Sequence, residues 1–109
     1  MPDTMADRRV AVRVPLILAA ELTEMPDGSP LHARTSDVSR TGCYIDTLNP
    51  IPAGSLVRVK LTRGKDIFEG LARIMYVSAG LGMGLRFEEL ALAQVSMLDR
   101  WLAEAAVRS

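Results

Sequence analysis

Polar and apolar positions alternate along most of the chain, and the period changes only once. Val10, Val12 and Val14 alternate with Ala11 and Arg13, and "PLILAAEL" (Pro15 to Leu22) extends this into a run suited to a buried strand. "EMPDGSP", Glu24 to Pro30, is a turn by composition. Further strands are predicted over Leu31 to Ser39, Cys43 to Thr47, Leu56 to Thr62, Ile67 to Ser78 and Gly82 to Phe87. In "LVRVKLT" the division is clean, with Val57, Val59 and Leu61 on one face and Leu56, Arg58 and Lys60 on the other. Gly70, inside the longest of these segments, marks a bend or bulge. After Phe87 the apolar positions Ala91, Val95, Leu98, Leu102 and Ala105 recur at intervals of four and three, the stripe of a C-terminal helix over about 88–107. Some six short strands followed by one helix predict an all-β dominated fold, a small antiparallel barrel with a helical tail.

Length allows one such unit and no second: 109 residues enclose a single core. Residues 1–8 are short of core formers and read as a flexible arm, with 9–109 as the folded domain. Composition then removes several functions. Thirteen basic and thirteen acidic residues balance to zero, and aromatic residues are only 5%, so neither a field nor stacking platforms favour a nucleic acid. The N-terminus lacks the apolar stretch of a signal peptide, and no run has the length of a membrane span, which leaves the cytoplasm as the expected compartment. Cys43 and His32 are the only residues of their kind. No internal disulfide, cysteine-built metal site or nucleophile and base pair is visible, and neither enzyme activity, metal nor cofactor is expected.

Two clusters remain. Arg8, Arg9 and Arg13 lie where the arm meets the first strand. They are either a solvated basic tail or a set of planar forks that grip phosphate oxygens or a guanine edge. On an extended segment Arg9 and Arg13 share a face about 13 Å apart, at ~3.3 Å per residue, a spacing suited to an anion with two charged centres. Asp37, Ser39 and Gly42 form the pattern Asp-x-Ser-x-x-Gly. They either brace a turn or present a carboxylate to the N–H groups of guanine with the serine hydroxyl beside it. Strict alternation puts His32, Arg34 and Ser36 on the face opposite Asp37. Arg34 and Arg40 read as solvated charges, and Trp101 as core. Met75, Met83 and Met97 read as core filler, Tyr44 and Tyr76 as straddling core and solvent, and Cys43 as a small buried hydrophobe.

Taken in order, Arg9-x-x-x-Arg13, Asp37-x-Ser39-x-x-Gly42 and "GMGLRF" (Gly82 to Phe87) resemble the PilZ domain, a bacterial receptor module for cyclic di-GMP. The resemblance spans roughly Arg8 to Trp101. It implies a six-stranded antiparallel PilZ-type β-barrel with the arginine-bearing arm folded over the ligand. Arg9 and Arg13 would hold phosphate and guanine edges, Asp37 and Ser39 would read guanine, and Gly42 would shape the turn. Arg8 would stack on a second nucleotide, so that cyclic di-GMP binds as an intercalated dimer. The implied function is that of a non-enzymatic adaptor that moves its arm and passes the signal to a protein effector through a surface. The alternative is a PilZ-like interaction module that binds no nucleotide.

Overall fold

The structure is a computed structural model and describes residues 12–108. Its elements are β1 (Val14–Pro15), β2 (Ala19–Glu24), β3 (Pro30–Val38), β4 (Gly42–Asp46), β5 (Leu56–Arg63), β6 (Asp66–Ser78), β7 (Gly82–Phe87) and α1 (Leu92–Arg108). Six strands pair antiparallel in the cyclic order β2-β5-β6-β7-β4-β3, and the β3–β2 pairing closes the barrel. The short β1 is an extra strand on the far end of β3.

Alternation drives this closure. Leu22, Ile45, Val57, Val59, Leu61, Phe68, Ile74 and Met83 all point inward and are fully or almost fully buried, which is where the hydrophobic gain of folding lies. The helix stoppers the barrel. Leu98 and Trp101 are buried, and the Trp101 ring lies 6.5 Å from that of Phe68, which in turn lies 5.1 Å from Phe87. Truncating a buried aromatic of this size costs about 3–5 kcal/mol, so docking of α1 belongs to the stability of the whole. At the helix surface, Arg63 pairs with Glu104, Arg100 with Asp66 and Arg40 with Asp99. These exposed pairs orient α1 more than they stabilise it.

Three features of the elements differ from the sequence expectation. The first strand is not continuous. Between β1 and β2 the chain turns its backbone to the Thr35 side chain: Leu18 N–H donates to Thr35 Oγ1 (2.9 Å), and that hydroxyl donates to the Leu16 carbonyl (2.7 Å). The helix begins at Leu92 rather than 88, because Glu88 N–H is still bonded to the Leu71 carbonyl and prolongs the sheet. Gly70 is neither bend nor bulge, since the β5–β6 register runs through it unbroken. A Cβ there would overlap the Leu90 side chain, so the glycine makes room for the segment entering the helix. The irregularity of β6 falls instead between Ile74 and Tyr76.

Candidate functional site

A bulge decides where Asp37 points. In the β3–β4 ladder Thr35 faces Ile45, but the next pair is Asp37 with Tyr44, so Ser36 is an extra residue on β3. One inserted residue inverts the alternation. Thr35 and Val38 therefore both face inward and are fully buried, while Asp37 is turned outward beside Tyr44. The same inversion puts His32 and Arg34 on the outer face with Asp37, contrary to simple alternation; Arg34 lies opposite Asp46.

Arg13, at the mouth of β1, reaches this carboxylate. Its Nε donates to Asp37 Oδ1 at 2.8 Å and a terminal guanidinium nitrogen lies 2.5 Å from the same oxygen. Thus two groups 24 residues apart in sequence meet on the barrel surface, with 46% and 31% of their side chains exposed.

The turn after Asp37 is braced from inside. Ser39 is fully buried, its N–H bonded to the Gly42 carbonyl (2.8 Å) and its Oγ accepting from the Thr41 and Gly42 amides at 3.2 Å each. Its hydroxyl is thus engaged within the turn. Gly42 does not have a positive φ. A Cβ there would overlap the Leu85 carbonyl of β7, so the residue permits close approach of two strands. Beneath this wall Cys43 is fully buried, and burial pushes its thiol up to about 12, with smaller opposed influences from Arg13 and Asp37.

The outer wall of β3, β4, β7 and β6 can be read in cross-strand rows. One runs Asp37, Tyr44, Gly84, Tyr76; its neighbour runs Gly42, Arg86, Arg73. The Tyr76 ring lies where a Cβ on Gly84 would be, and the Tyr44 ring lies over Gly82, the two ring centroids 6.2 Å apart. Between these groups is a depression of about 190 Å³ lined by Arg13, Thr41, Gly42, Tyr76, Gly84 and Arg86. Ligand pockets for drug-sized molecules start at about 300 Å³, so this hollow accepts part of a larger ligand.

Of the candidate residues, the structure unites Arg13, Asp37, Ser39 and Gly42 in one place. Arg8 and Arg9 lie outside the described residues. Sequence reasoning passed over Thr41, Tyr76 and Arg86 as lining groups, and it misplaced Met75. That side chain is 46% exposed at the edge of the depression and fills no core, whereas Met83 is buried. The signal for Arg86 was present, since alternation puts it on the face of Gly82 and Gly84. The signal for Tyr76 was hidden by the β6 bulge. Arg40, expected as a solvated charge, is tied to Asp99 of α1 at 2.8 Å.

The family model of the PilZ domain matches residues 7–104. None of the curated proteins matches the chain in sequence. Among solved structures the chain is similar to the PilZ domain of YcgR from Escherichia coli with c-di-GMP. The TM-score is 0.74 at 19% identity, covering 93% of this chain and 93% of that one. The inhibitor of motility MotI (DgrA) from Bacillus subtilis is similar at TM-score 0.77 and 14% identity, covering 91% of this chain and 51% of that one. The PilZ domain of CeSA from a cellulose-synthesizing bacterium is similar at TM-score 0.71 and 18% identity, covering 86% of this chain and 97% of that one. The chain spans about half the length of MotI, and at these identities the likeness is one of fold.

Proposed function

The chain belongs to the PilZ domain family, and on that premise we propose that it is a cyclic di-GMP receptor that works as a regulatory adaptor rather than as an enzyme. The observation that carries this reading is the Arg13–Asp37 contact beside the glycine-lined depression. An exposed ion pair of this kind is worth at most about 1 kcal/mol, so a ligand that satisfies both partners separately displaces it at small cost. Guanine does so for Asp37, because its N1–H and N2–H groups donate to a carboxylate. A phosphate does so for Arg13 through two parallel charge-assisted bonds.

The depression is too small for a whole dinucleotide, and Arg8 and Arg9 supply the missing contacts from the N-terminal side. Arg9 takes phosphate and guanine edges with Arg13, and Arg8 stacks on the second of two intercalated ligand molecules. Asp37 reads the base, and Ser39 holds the turn that presents it. Recruitment of the arm to this wall changes the surface offered to a protein effector, which is how a binding module transmits occupancy.

Isothermal titration with cyclic di-GMP tests the reading. Wild type gives a binding isotherm with a molar ratio of two. Arg9→Ala and Asp37→Ala each lose on the order of 1.5–3 kcal/mol, tenfold or more in affinity, with an unchanged circular dichroism spectrum. Absence of heat from folded wild type removes the proposal and leaves the nucleotide-free interaction module in its place.

A further inference from the structure

Two bulges on different strands converge on one row of the barrel. The extra residue on β3 turns Asp37 outward; the extra residue on β6, between Ile74 and Tyr76, turns Tyr76 outward. Both ends of the row Asp37, Tyr44, Gly84, Tyr76 are therefore re-aimed to the same surface, and bulges concentrate beside functional sites. Gly84 completes the arrangement. Lacking a Cβ, it lets the Tyr76 ring lie against the β7 backbone while the side chain stays about half exposed.

Arg86 is the second unexplained group. Among the described residues, Arg13 and Arg73 on this wall have acidic partners, Asp37 and Glu88, whereas Arg86 has none. Its register neighbours are Gly42, which offers no side chain, and Arg73, which carries the same charge. Like charges directly opposite each other on a sheet are destabilising. Arg73 meets this by bonding the Gly54 carbonyl at 3.2 Å. Arg86 instead lines the depression that Arg13 borders from the other side. A fork with five donors, no acidic partner among the described residues and a like-charged neighbour suits an anion.

Resting on the cyclic di-GMP reading, we propose that Tyr76 and Arg86 are direct ligand contacts beyond the arginine and Asp-Ser-Gly motifs: Arg86 binds a phosphate of the nucleotide and the Tyr76 ring stacks on a guanine. Base stacking on an aromatic ring tolerates loss of the phenol oxygen but not of the ring. A planar fork on phosphate is only partly replaced by an ammonium.

The test is titration of cyclic di-GMP into wild type, Arg86→Ala, Arg86→Lys, Tyr76→Ala and Tyr76→Phe, each with a thermal melt. Arg86→Ala and Tyr76→Ala bind about tenfold more weakly, Tyr76→Phe binds like wild type, and Arg86→Lys falls between wild type and Arg86→Ala. Melting of Arg86→Ala is unchanged or slightly raised, because removing the charge relieves Arg73. Wild-type affinity in both alanine variants overturns this inference and leaves the receptor reading standing. Failure of wild type itself to bind overturns both. Should Tyr76→Ala unfold, the contrast between Arg86→Ala and Arg86→Lys still decides the anion contact.

Discussion

Two walls of the same barrel carry depressions of similar size, about 190 Å³ on β4–β7 and about 220 Å³ on β2–β5, yet their chemistry differs. On β2–β5 the row His32, Glu21, Lys60, Glu69 places an acid between basic neighbours and a base between acids. No bulge interrupts the pairings that build it. Charges there alternate in sign across the register, which suits a solvated sheet surface. On β4–β7 two bulges flank the row, glycines line the floor, and Arg86 faces Arg73. Volume does not distinguish the two walls; a like-charged register pair and re-aimed side chains do. On the proposed reading, that difference separates a plain sheet surface from one that a ligand completes.

The largest expected effect lies directly beneath the β4–β7 wall and asks whether the bulges leave it leaky. With its pKa pushed from 9.0 to about 12, the Cys43 thiol carries roughly a thousandfold less thiolate at pH 8 in the fold than in the unfolded chain. Reaction with a disulfide reagent is expected to be slowed at least in that proportion until denaturant is added. Rapid labelling of the folded protein would show that this wall opens. Linkage follows the same shift. The folded pKa lies above the unfolded one, so this contribution to stability is intact below about pH 9 and is lost as pH rises through about 12.

Next in size is the floor. Gly42→Val forces a branched side chain into the Leu85 carbonyl, which as backbone cannot yield, and is expected to cost about 3 kcal/mol or more. The matching change on the other wall, Lys60→Val, stays within about 1 kcal/mol, since that strand face is open and β-branched residues suit it. Equal melting temperatures for the two variants would erase the contrast between the walls.

A smaller effect, of about 1–3 kcal/mol, is expected from Thr35→Val. It leaves the Leu18 N–H and the Leu16 carbonyl without the hydroxyl that joins them. The β3 bulge starts at Thr35, so cyclic di-GMP affinity is expected to fall along with stability although Thr35 is buried. A loss of stability with full affinity would uncouple the bulge from the aim of Asp37.

The barrel was legible because its inner face follows a strict period of two and its helix a different one. The strands from Leu31 onward end within a residue or so of where turn chemistry puts them. The site was half legible. Arg13 and Asp37 stand in recognisable patterns, and the structure brings them into contact. What alternation could not show is an inserted residue. In "RTSDV" the buried side chain before the bulge is a threonine, so polarity gives no warning that Ser36 is extra and that Asp37 shares a face with Arg34. In "RIMYV" every candidate for the extra position is apolar or aromatic. The role of Gly70 was hidden for another reason, as it depends on Leu90, twenty positions away in sequence. In the motif Ser39 reads as a base-reading group with an available hydroxyl; in the fold its side chain is buried and bonded to the Thr41 and Gly42 amides.

The β4–β7 wall is the one proposed to take up ligand. Titrating cyclic di-GMP into uniformly labelled protein while following backbone amide resonances tests this directly. The expected result is progressive shifts at Gly42, Tyr44, Gly84 and Arg86 with constant positions for Glu21, His32 and Lys60. Shifts confined to the β2–β5 wall, or none on either wall at saturating nucleotide, would contradict it.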